Sequence, residues 1–540
     1  MAEKPDVIII GGGPNGLAAG AYLARAGVRV NVMDCNQELG GGLATELAAY
    51  PGFLTNTHSI YHMMVDFAPP YKDFDLAGKY AINYVWPELQ FAMLFADGRS
   101  LCLYQDTEKT CQSIAAFSKK DADSYRGLRK KLDDYMNNYL GPLTYLPAMA
   151  PLEQIPLLEK TELGRDFASD SEKSPQELID SYFENDQVRA LMYYLACHWG
   201  VEYDSTGLGY LAILNLNRAI NYRLCVGGSH KLASALQKVI LENGGRLRGN
   251  QRIKRILVNN GAASGVEMED GTVIEANKAV VSTIDLGTTF LKYVGEKNLD
   301  ENFAAAIKGW QWEKWSLLAL HLALKEPPNF KAAAANPDIN KALAYIMGYE
   351  GTQDLIRQWQ GIARGERQTK GFSCSFPSVH DPSQAPEGQC TGLISQMAPY
   401  HIKEGAEKWE RYKFKWELVN ERVEVLRGYA PNINQDKIIW AYATTPLGTE
   451  RRFPDMIQGS YKQGAYANLQ MGFLRPNDEC SNHRTPIKNL YLGGANTYPG
   501  GMVTFGPGYL AANAVAEDLG IKKWWSEPES VANARVRGIL

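Results

Sequence analysis

The chain has 540 residues and a formal net charge of −4, with 45% hydrophobic and 21% charged residues. This length predicts two or more domains, and the composition is typical of a globular protein. The charge balance and scattered basic residues exclude a nucleic-acid-binding surface as the expected function, and no apolar run reaches the roughly 18 residues of a membrane span.

The N-terminal segment has the order of a dinucleotide-binding βαβ unit. A β-branched strand at Val7–Ile10 runs into a glycine turn at 11–16, followed by a helix-forming run at 17–26. A second strand at 28–33 then ends at Asp34. The acid stands where such units accept the ribose hydroxyls of the dinucleotide, so Asp34 is a predicted cofactor ligand.

The glycines of the first turn have separate predicted tasks. Gly11 allows the tight turn, Gly13 lets the backbone approach a pyrophosphate, and Gly16 lets the helix pack close to the strand. Pro14 and Asn15 belong to the same turn. The helix that follows offers free N–H groups and the positive end of its dipole to the phosphates.

A second glycine cluster follows Asp34 and favours a flavin over a nicotinamide. The segment contains Gly40, Gly41, Gly42 and Thr45. It resembles the GG-x-x-x-[ST] element that runs beside the diphosphate in FAD proteins of the amine-oxidase and phytoene-desaturase type. Many members carry Arg where this chain has Gly42, so any charge pairing from that Arg is lost or supplied elsewhere.

The α/β rhythm resumes between Tyr222 and Thr289 and predicts the return of the FAD-binding domain. The backbone near Ile253 is expected to meet the adenine. The pattern predicts a helix at 231–241 and strands at 252–258, 264–268, 272–276 and 279–282.

A glycine-rich stretch at 489–508 holds six glycines and two prolines. A strand at 487–492 precedes it, and a helix is predicted from Tyr509. The bare backbone suggests that the flavin ring lies almost against the main chain, with the helix N-terminus aimed at the pyrimidine end of the ring. The residues expected to border the ring are Gly494, Gly501, Met502 and Val503.

With these motifs in place, the chain resembles the phytoene desaturase superfamily of FAD oxidoreductases. It is most similar to the desaturase-related "pyridine nucleotide-disulfide oxidoreductase domain-containing" branch, with retinol saturase as a cousin. Two departures lie near the expected flavin: Tyr498 replaces a common His, and Leu469 stands where an acid is expected. The matching elements are Thr45–Phe53, 377–388, 398–400, Thr445–Glu450, 475–476, 484–487 and 498–501.

The resemblance implies an α/β fold with a discontinuous Rossmann-type FAD-binding domain and an inserted α+β substrate domain. The FAD-binding domain is predicted at 1–70, 222–290 and 471–525. The substrate domain is predicted at 71–221 and 291–470, with a C-terminal tail at 526–540.

The implied chemistry is removal of two hydrogens from a CH–CH unit of a small organic substrate, with a hydride passing to flavin N5. The substrate is expected to be apolar or cyclic, and a small cyclic keto acid undergoing aromatisation is one candidate. A polyene desaturase, saturase or isomerase and a flavin amine oxidase stay open, as does a lipid-binding escort resembling GDP-dissociation inhibitors. No CxxxxC pair or second dinucleotide unit is found, so oxygen or a quinone is the expected electron acceptor.

Four residues are candidates for proton handling or substrate orientation: His58, Tyr61, His62 and Tyr498. The first three follow the family's PGF element, and Tyr498 is expected to lie close to the flavin. Each His could instead be a hydrogen-bonded structural residue, and His198 is expected to belong to the core. No Cys/His pattern indicates a metal site.

The eight cysteines are dispersed without a CxxC pair, which predicts free thiols in a reducing compartment. No signal peptide is recognisable at the N-terminus. A cytoplasmic protein is therefore expected, and a homo-oligomer is possible.

Overall fold

The computed structural model describes residues 4–540. The strands are β1 Val7–Ile10, β2 Val30–Met33, β3 Thr45–Glu46, β4 Thr55–Asn56, β5 Tyr61–His62, β6 Tyr84–Val85, β7 Leu89–Leu94, β8 Ser100–Tyr104, β9 Arg223–Cys225, β10 Arg246–Arg248, β11 Ile253–Asn259, β12 Ala262–Met268, β13 Val273–Glu275, β14 Ala279–Ser282, β15 Ser316–Leu324, β16 Ala344–Met347, β17 Phe372–Ser375, β18 Cys390–Ala398, β19 Ile438–Thr444 and β20 Leu490–Leu492.

The α-helices are α1 Pro14–Arg25, α2 Pro69–Asp73, α3 Thr107–Ala115, α4 Lys119–Tyr135, α5 Gly141–Leu143, α6 Pro151–Glu159, α7 Glu162–Glu172, α8 Pro175–Asp180, α9 Asp186–Cys197, α10 Gly209–Arg218, α11 His230–Glu242, α12 Glu301–Lys308, α13 Thr352–Ala363, α14 Tyr412–Tyr429, α15 Pro446–Arg452, α16 Gly506–Asp518 and α17 Glu529–Val536. Two further segments, Met136–Leu140 and Gly287–Gly295, are π-helical.

A five-stranded sheet in the order β10-β2-β1-β14-β20 is parallel throughout. Helix α1 packs against α11 and α16 on one face. The other face is covered by the antiparallel sheet β11-β12-β13, through contacts such as those of Ile8 and Val280 with Val266. The chain leaves β1 toward β2 on one side and reaches β14 on the other, so a crevice opens at the carboxyl ends of β1 and β14.

A seven-stranded sheet in the order β19-β15-β18-β17-β16-β7-β8 is antiparallel except where β16 pairs with β7. One face packs on α14, and Leu320 and Leu322 share a core with Leu418 and Leu426. The opposite face turns toward the crevice of the parallel sheet. The two sheets therefore enclose the site from two sides.

The strands and helices agree closely with the sequence prediction in the N-terminal and middle segments. The C-terminal helix differs, since it begins at Gly506 rather than Tyr509 because Pro507 is accommodated in its first turn. All strands of the parallel sheet fall inside the predicted FAD-binding segments, and all strands of the seven-stranded sheet fall inside the predicted substrate segments. The domain boundaries themselves stay a prediction.

Within residues 4–540, none of the helices combines the length and the apolar character required to cross a membrane.

Candidate active site

A cavity of about 540 Å³ lies between the carboxyl ends of the parallel sheet and the open face of the seven-stranded sheet. Fourteen of the predicted site residues line it together. They are Gly11, Gly13, Pro14, Asn15, Gly16, Asp34, Gly41, Gly42, His58, Tyr61, Ile253, Gly501, Met502 and Val503.

The first glycine turn has the shape that a diphosphate needs. Gly11 has a φ of +97°, and a Cβ on Gly16 would lie 1.9 Å from the Gly11 carbonyl oxygen. A Cβ on Gly13 would meet nothing within 4 Å, so the backbone there faces open space. Because α1 has no side-chain cap, its first N–H groups are free to bind an anion.

Asp34 closes this end of the cavity. Its carboxylate accepts hydrogen bonds from the Gly12 and Asn36 backbone N–H groups, each at 2.8 Å. Both oxygens keep a further lone pair, which is what ribose hydroxyls require. A Cβ on Gly41 would lie 3.0 Å from the Gly13 Cα, so the two glycine clusters touch. These residues fit the diphosphate and ribose of FAD.

The loop at the other end of the cofactor half has a strained backbone. Met502 and Val503 have φ values of 70° and 54°, a left-handed conformation that is a genuine outlier for a β-branched residue. The loop is held by the Gly501 N–H, which donates to the Tyr466 hydroxyl at 2.9 Å. Such strain persists where the surroundings fix it, and it clusters at functional sites.

Two of the predicted catalytic residues do not line the cavity. The Tyr498 hydroxyl donates to the Leu143 carbonyl at 2.7 Å, which turns it toward α5. His62 is buried, and its Nδ1 lies 2.6 Å from the Tyr84 hydroxyl. The cavity therefore brings together His58 and Tyr61, but not His62 and Tyr498.

Three predicted cofactor residues also lie behind the lining rather than in it. The Gly40 N–H donates to the Gly12 carbonyl at 2.8 Å. The Thr45 hydroxyl donates to the Asn56 side chain at 2.8 Å. A Cβ on Gly494 would lie 2.7 Å from the Thr283 carbonyl oxygen. Each of these residues supports the lining from behind.

The glycine-rich stretch near the C-terminus has a partly different physical reason from the one expected. A Cβ on Gly508 would lie 2.2 Å from the Asn15 carbonyl oxygen, and one on Gly506 would lie 2.4 Å from Pro499. These glycines permit α16 to pack against the start of α1. Gly501 borders the cavity with no atom closer than 3.4 Å to its would-be Cβ, so it alone of these three faces the cofactor space.

Two buried carboxyl groups at this edge were missed by the sequence reasoning. Asp285 follows β14, and its Oδ2 has no hydrogen-bond partner. Asp455 accepts a hydrogen bond from the Gln463 amide at 2.7 Å. Enclosure by protein, together with the nearby Asp285 and Asp34, raises the pKa of Asp455 to about 7. Asp285 could have been found from its position at the crevice beyond β14, whereas the sequence around Asp455 carries no such signal.

Aromatic side chains dominate the half of the cavity that faces the seven-stranded sheet. The Tyr61 ring stacks on Tyr222 with centroids 5.4 Å apart. The polar groups are largely satisfied among themselves, since the Tyr349 hydroxyl donates to Gln358 at 2.7 Å. Ser375 Oγ is an exception and has no partner. The aromatic residues are Tyr61, Phe91, Tyr194, Trp199, Tyr222, Tyr349, Trp359, Phe372 and Tyr461.

Three histidines line the same half and are neutral at physiological pH. Burial lowers the pKa of His58 to about 3 and the pKa values of His198 and His321 to about 4. His198 is buried as expected, and its ring also borders the cavity. His321 was missed, although it alternates with Leu317 and Ala319 along β15 and therefore shares their face.

The charged residues that line the cavity all lie at the end formed by the parallel sheet. They are Asp34, Asp285, Lys292 and Asp455. Asp34 and Asp285 follow β2 and β14, Lys292 lies on the π-helical segment after β14, and Asp455 lies close to both of these aspartates. In the described part of the chain, the aromatic half therefore presents no ionised side chain to the cavity.

Comparisons with known proteins place this geometry in context. The family model described as flavin containing amine oxidoreductase matches residues 15–519. One of the two limonene dehydrogenase polypeptides of Castellaniella defragrans is 37% identical over 551 residues, covering 100% of this chain and 99% of that protein. Pyridine nucleotide-disulfide oxidoreductase domain-containing protein 2 of Rattus norvegicus is 25% identical, covering 96% and 94%. An oxidoreductase structure from Methanosarcina mazei shares the fold, with a TM-score of 0.61, 18% identity and coverage of 95% and 99%.

Proposed function

We propose that this chain, which belongs to the flavin containing amine oxidoreductase family, is a dehydrogenase of a neutral, apolar, cyclic substrate of about monoterpene size. It is an FAD-dependent oxidoreductase, and the predicted resemblance to the phytoene desaturase-like enzymes is confirmed. The lipid-binding escort considered from the sequence is therefore set aside. The similarity to a limonene dehydrogenase polypeptide along the whole chain supports a dehydrogenation.

The observation that carries the proposal is the absence of an ionised side chain in the aromatic half of the cavity, among residues 4–540. An ammonium or carboxylate substrate would be buried there without a counter-charge, which costs several kcal/mol. The amine and the cyclic keto acid considered from the sequence are thus disfavoured. A hydrocarbon loses nothing by entering and gains from leaving water.

The size of the cavity favours a compact molecule over a long polyene. Its volume of about 540 Å³ has to accommodate the reacting part of FAD as well as the substrate. Cavities of roughly 300–1,000 Å³ hold a single drug-sized ligand. A polyene desaturase would need part of its substrate to remain outside this space.

The chain's own residues would orient the substrate and exclude water. FAD, when bound, supplies the acceptor for a hydride. The faces of Tyr61 and Tyr222 can hold the ring of the substrate and stabilise positive charge that develops on it. His58 Nε2 lies at the cavity without a hydrogen-bond partner, so it is the proposed atom to take up the departing proton. Its low basicity suits a proton lost from a strongly acidic, cationic carbon skeleton.

We retain oxygen or a quinone as the proposed electron acceptor. We also retain a cytoplasmic location, since all eight cysteines lie within the described residues and are free thiols.

An anaerobic titration of the FAD-loaded protein tests the proposal. Limonene, a long polyene, cyclohexylamine and a cyclic keto acid would be added separately while the visible flavin absorbance is recorded. We expect bleaching by limonene or a related cyclic hydrocarbon and none by the amine or the keto acid. Bleaching by either charged compound alone would overturn the argument from the uncharged lining.

A variant sharpens the test. Ala319→Asp places a carboxylate in the aromatic half, on the face of β15 that lines the cavity. The variant should retain FAD and lose bleaching by the hydrocarbon. Ala319→Val, which adds volume without charge, is the matched control and should be affected less.

A further inference from the structure

The seven-stranded sheet ends in a strand with a free edge. Strand β19 pairs with β15 on one side and has no strand on the other. Among the residues described, no hydrogen bond joins the backbone of 439–443 to any element other than β15. An edge of this kind presents unpaired N–H and C=O groups and is a template for a further strand.

The free edge lacks the usual protection against pairing. Natural edges carry Lys, Pro or a bulge that prevents another strand from approaching. Here the exposed positions of β19 are Trp440 and Tyr442, with 44% and 41% of their surfaces accessible. The one irregularity in the pairing lies at the beginning of the strand, between Ala323 and Leu324 of β15, so the rest of the edge is regular.

Further aromatic residues extend this surface, which we name the edge patch: Tyr412, Trp416, Trp440 and Tyr442. The Trp416 and Trp440 rings meet edge to face at 5.3 Å. Tyr412, whose ring lies 6.4 Å from that of Trp416, is 69% exposed. Tyr and Trp are enriched at protein–protein interfaces and supply most of their binding energy.

The charges around the edge patch are balanced. Tyr442 lies close to Glu46, Arg452 and Glu410, and each of these charges is already paired. Two identical faces that carry opposite charges in equal number do not repel each other, whereas a face with net charge would. The pairs are Glu46 with Arg452, Glu410 with Lys415, Glu407 with Arg451, and Glu326 with Lys437.

We propose that the edge patch binds the same patch of a second copy of this chain, with the two β19 strands paired antiparallel. The strand Ile438–Thr444 has Ala441 at its centre, and a two-fold axis there sets Trp440 of one copy opposite Tyr442 of the other. The Trp-Ala-Tyr sequence is thus complementary to itself, and two cross-strand aromatic pairs form on one face. This symmetry favours a second copy over an unrelated partner.

Light scattering on the FAD-loaded chain tests the dimer. We expect a mass twice the 60.0 kDa of one chain for the wild type and a single-chain mass for Trp440→Lys. Leu469→Lys, at a position 81% exposed and outside the edge patch, should keep the doubled mass. A monomeric wild type, or a Trp440→Lys variant that dimerises as tightly as the wild type, would overturn the proposal.

Cross-linking covers the case in which Trp440→Lys fails to fold. Trp440→Cys, treated with a short bismaleimide, should give a doubled species whose linked peptides join position 440 to position 440. Leu469→Cys, treated in the same way, should give no such product. Because Cys35 is also exposed, the linked positions are identified by mass spectrometry. A Trp440→Cys protein linked only through other sites, or not linked at all, would refute the paired edges.

Discussion

Replacing Asp455 by Asn should stabilise the protein at alkaline pH and have little effect at acid pH. The pKa of Asp455 is raised from 3.8 to about 7 by burial and by the neighbouring Asp285 and Asp34. The folded chain therefore holds a proton that the unfolded chain releases between these two pH values. Stability is lost as the pH rises through this window, and the loss is complete above about pH 7. A difference of about 3 pKa units corresponds to at most about 4 kcal/mol.

Urea unfolding of wild type and Asp455→Asn at about pH 4.5 and pH 8 measures this difference. The side chains have nearly the same shape, so the Gln463 amide keeps an acceptor. Subtracting the two proteins cancels the titration of the buried histidines, which is common to both. Asp97→Asn removes an exposed acid paired with Arg99 and should give no alkaline gain. If the free-energy difference between wild type and Asp455→Asn were the same at both pH values, the assignment of a buried neutral carboxyl would be wrong.

Three further outcomes follow from the site. Gly13→Val should abolish FAD retention in a folded chain, because its side chain would fill the open space before the diphosphate; a variant purified with stoichiometric flavin would contradict this placement. Gly508→Ala should lower the free energy of unfolding by about 1–3 kcal/mol through contact with the Asn15 carbonyl, whereas Gly127→Ala, in open space on α4, should raise it by about 0.5–1 kcal/mol. His58→Gln should reduce kcat/KM without moving its pH profile between about pH 5.5 and 8, because burial holds the pKa of His58 near 3; a wild-type inflection near pH 6.5 that disappears in the variant would refute this.

The cofactor half could be predicted because its determinants are local. Gly11, Gly13, Gly16 and Asp34 lie within one βαβ unit, where the order of strand, turn and helix specifies the site. The late residues Gly501, Met502 and Val503 were located through the family resemblance. Their left-handed backbone could not be foreseen, because Met and Val rarely adopt it.

The substrate half could not be predicted to the same degree because it is assembled from distant strands and helices. Ser375, His321 and Trp359 come from separate elements, and each is unremarkable in its own segment. Tyr498 illustrates the opposite error. It lies next to the cofactor loop in sequence, yet its hydroxyl bonds to the Leu143 carbonyl, a contact across several hundred residues that no local pattern encodes.

The packing of α16 on α1 has a consequence for how the protein is made. Gly508 rests against the Asn15 carbonyl, and β20 completes the sheet that β1 begins. At a synthesis rate of roughly 5–20 residues per second, the ribosome needs tens of seconds between the phosphate-binding turn and the helix that supports it. FAD is therefore captured after the nascent chain is almost finished, and a truncated translation product ending before residue 490 should be released colourless.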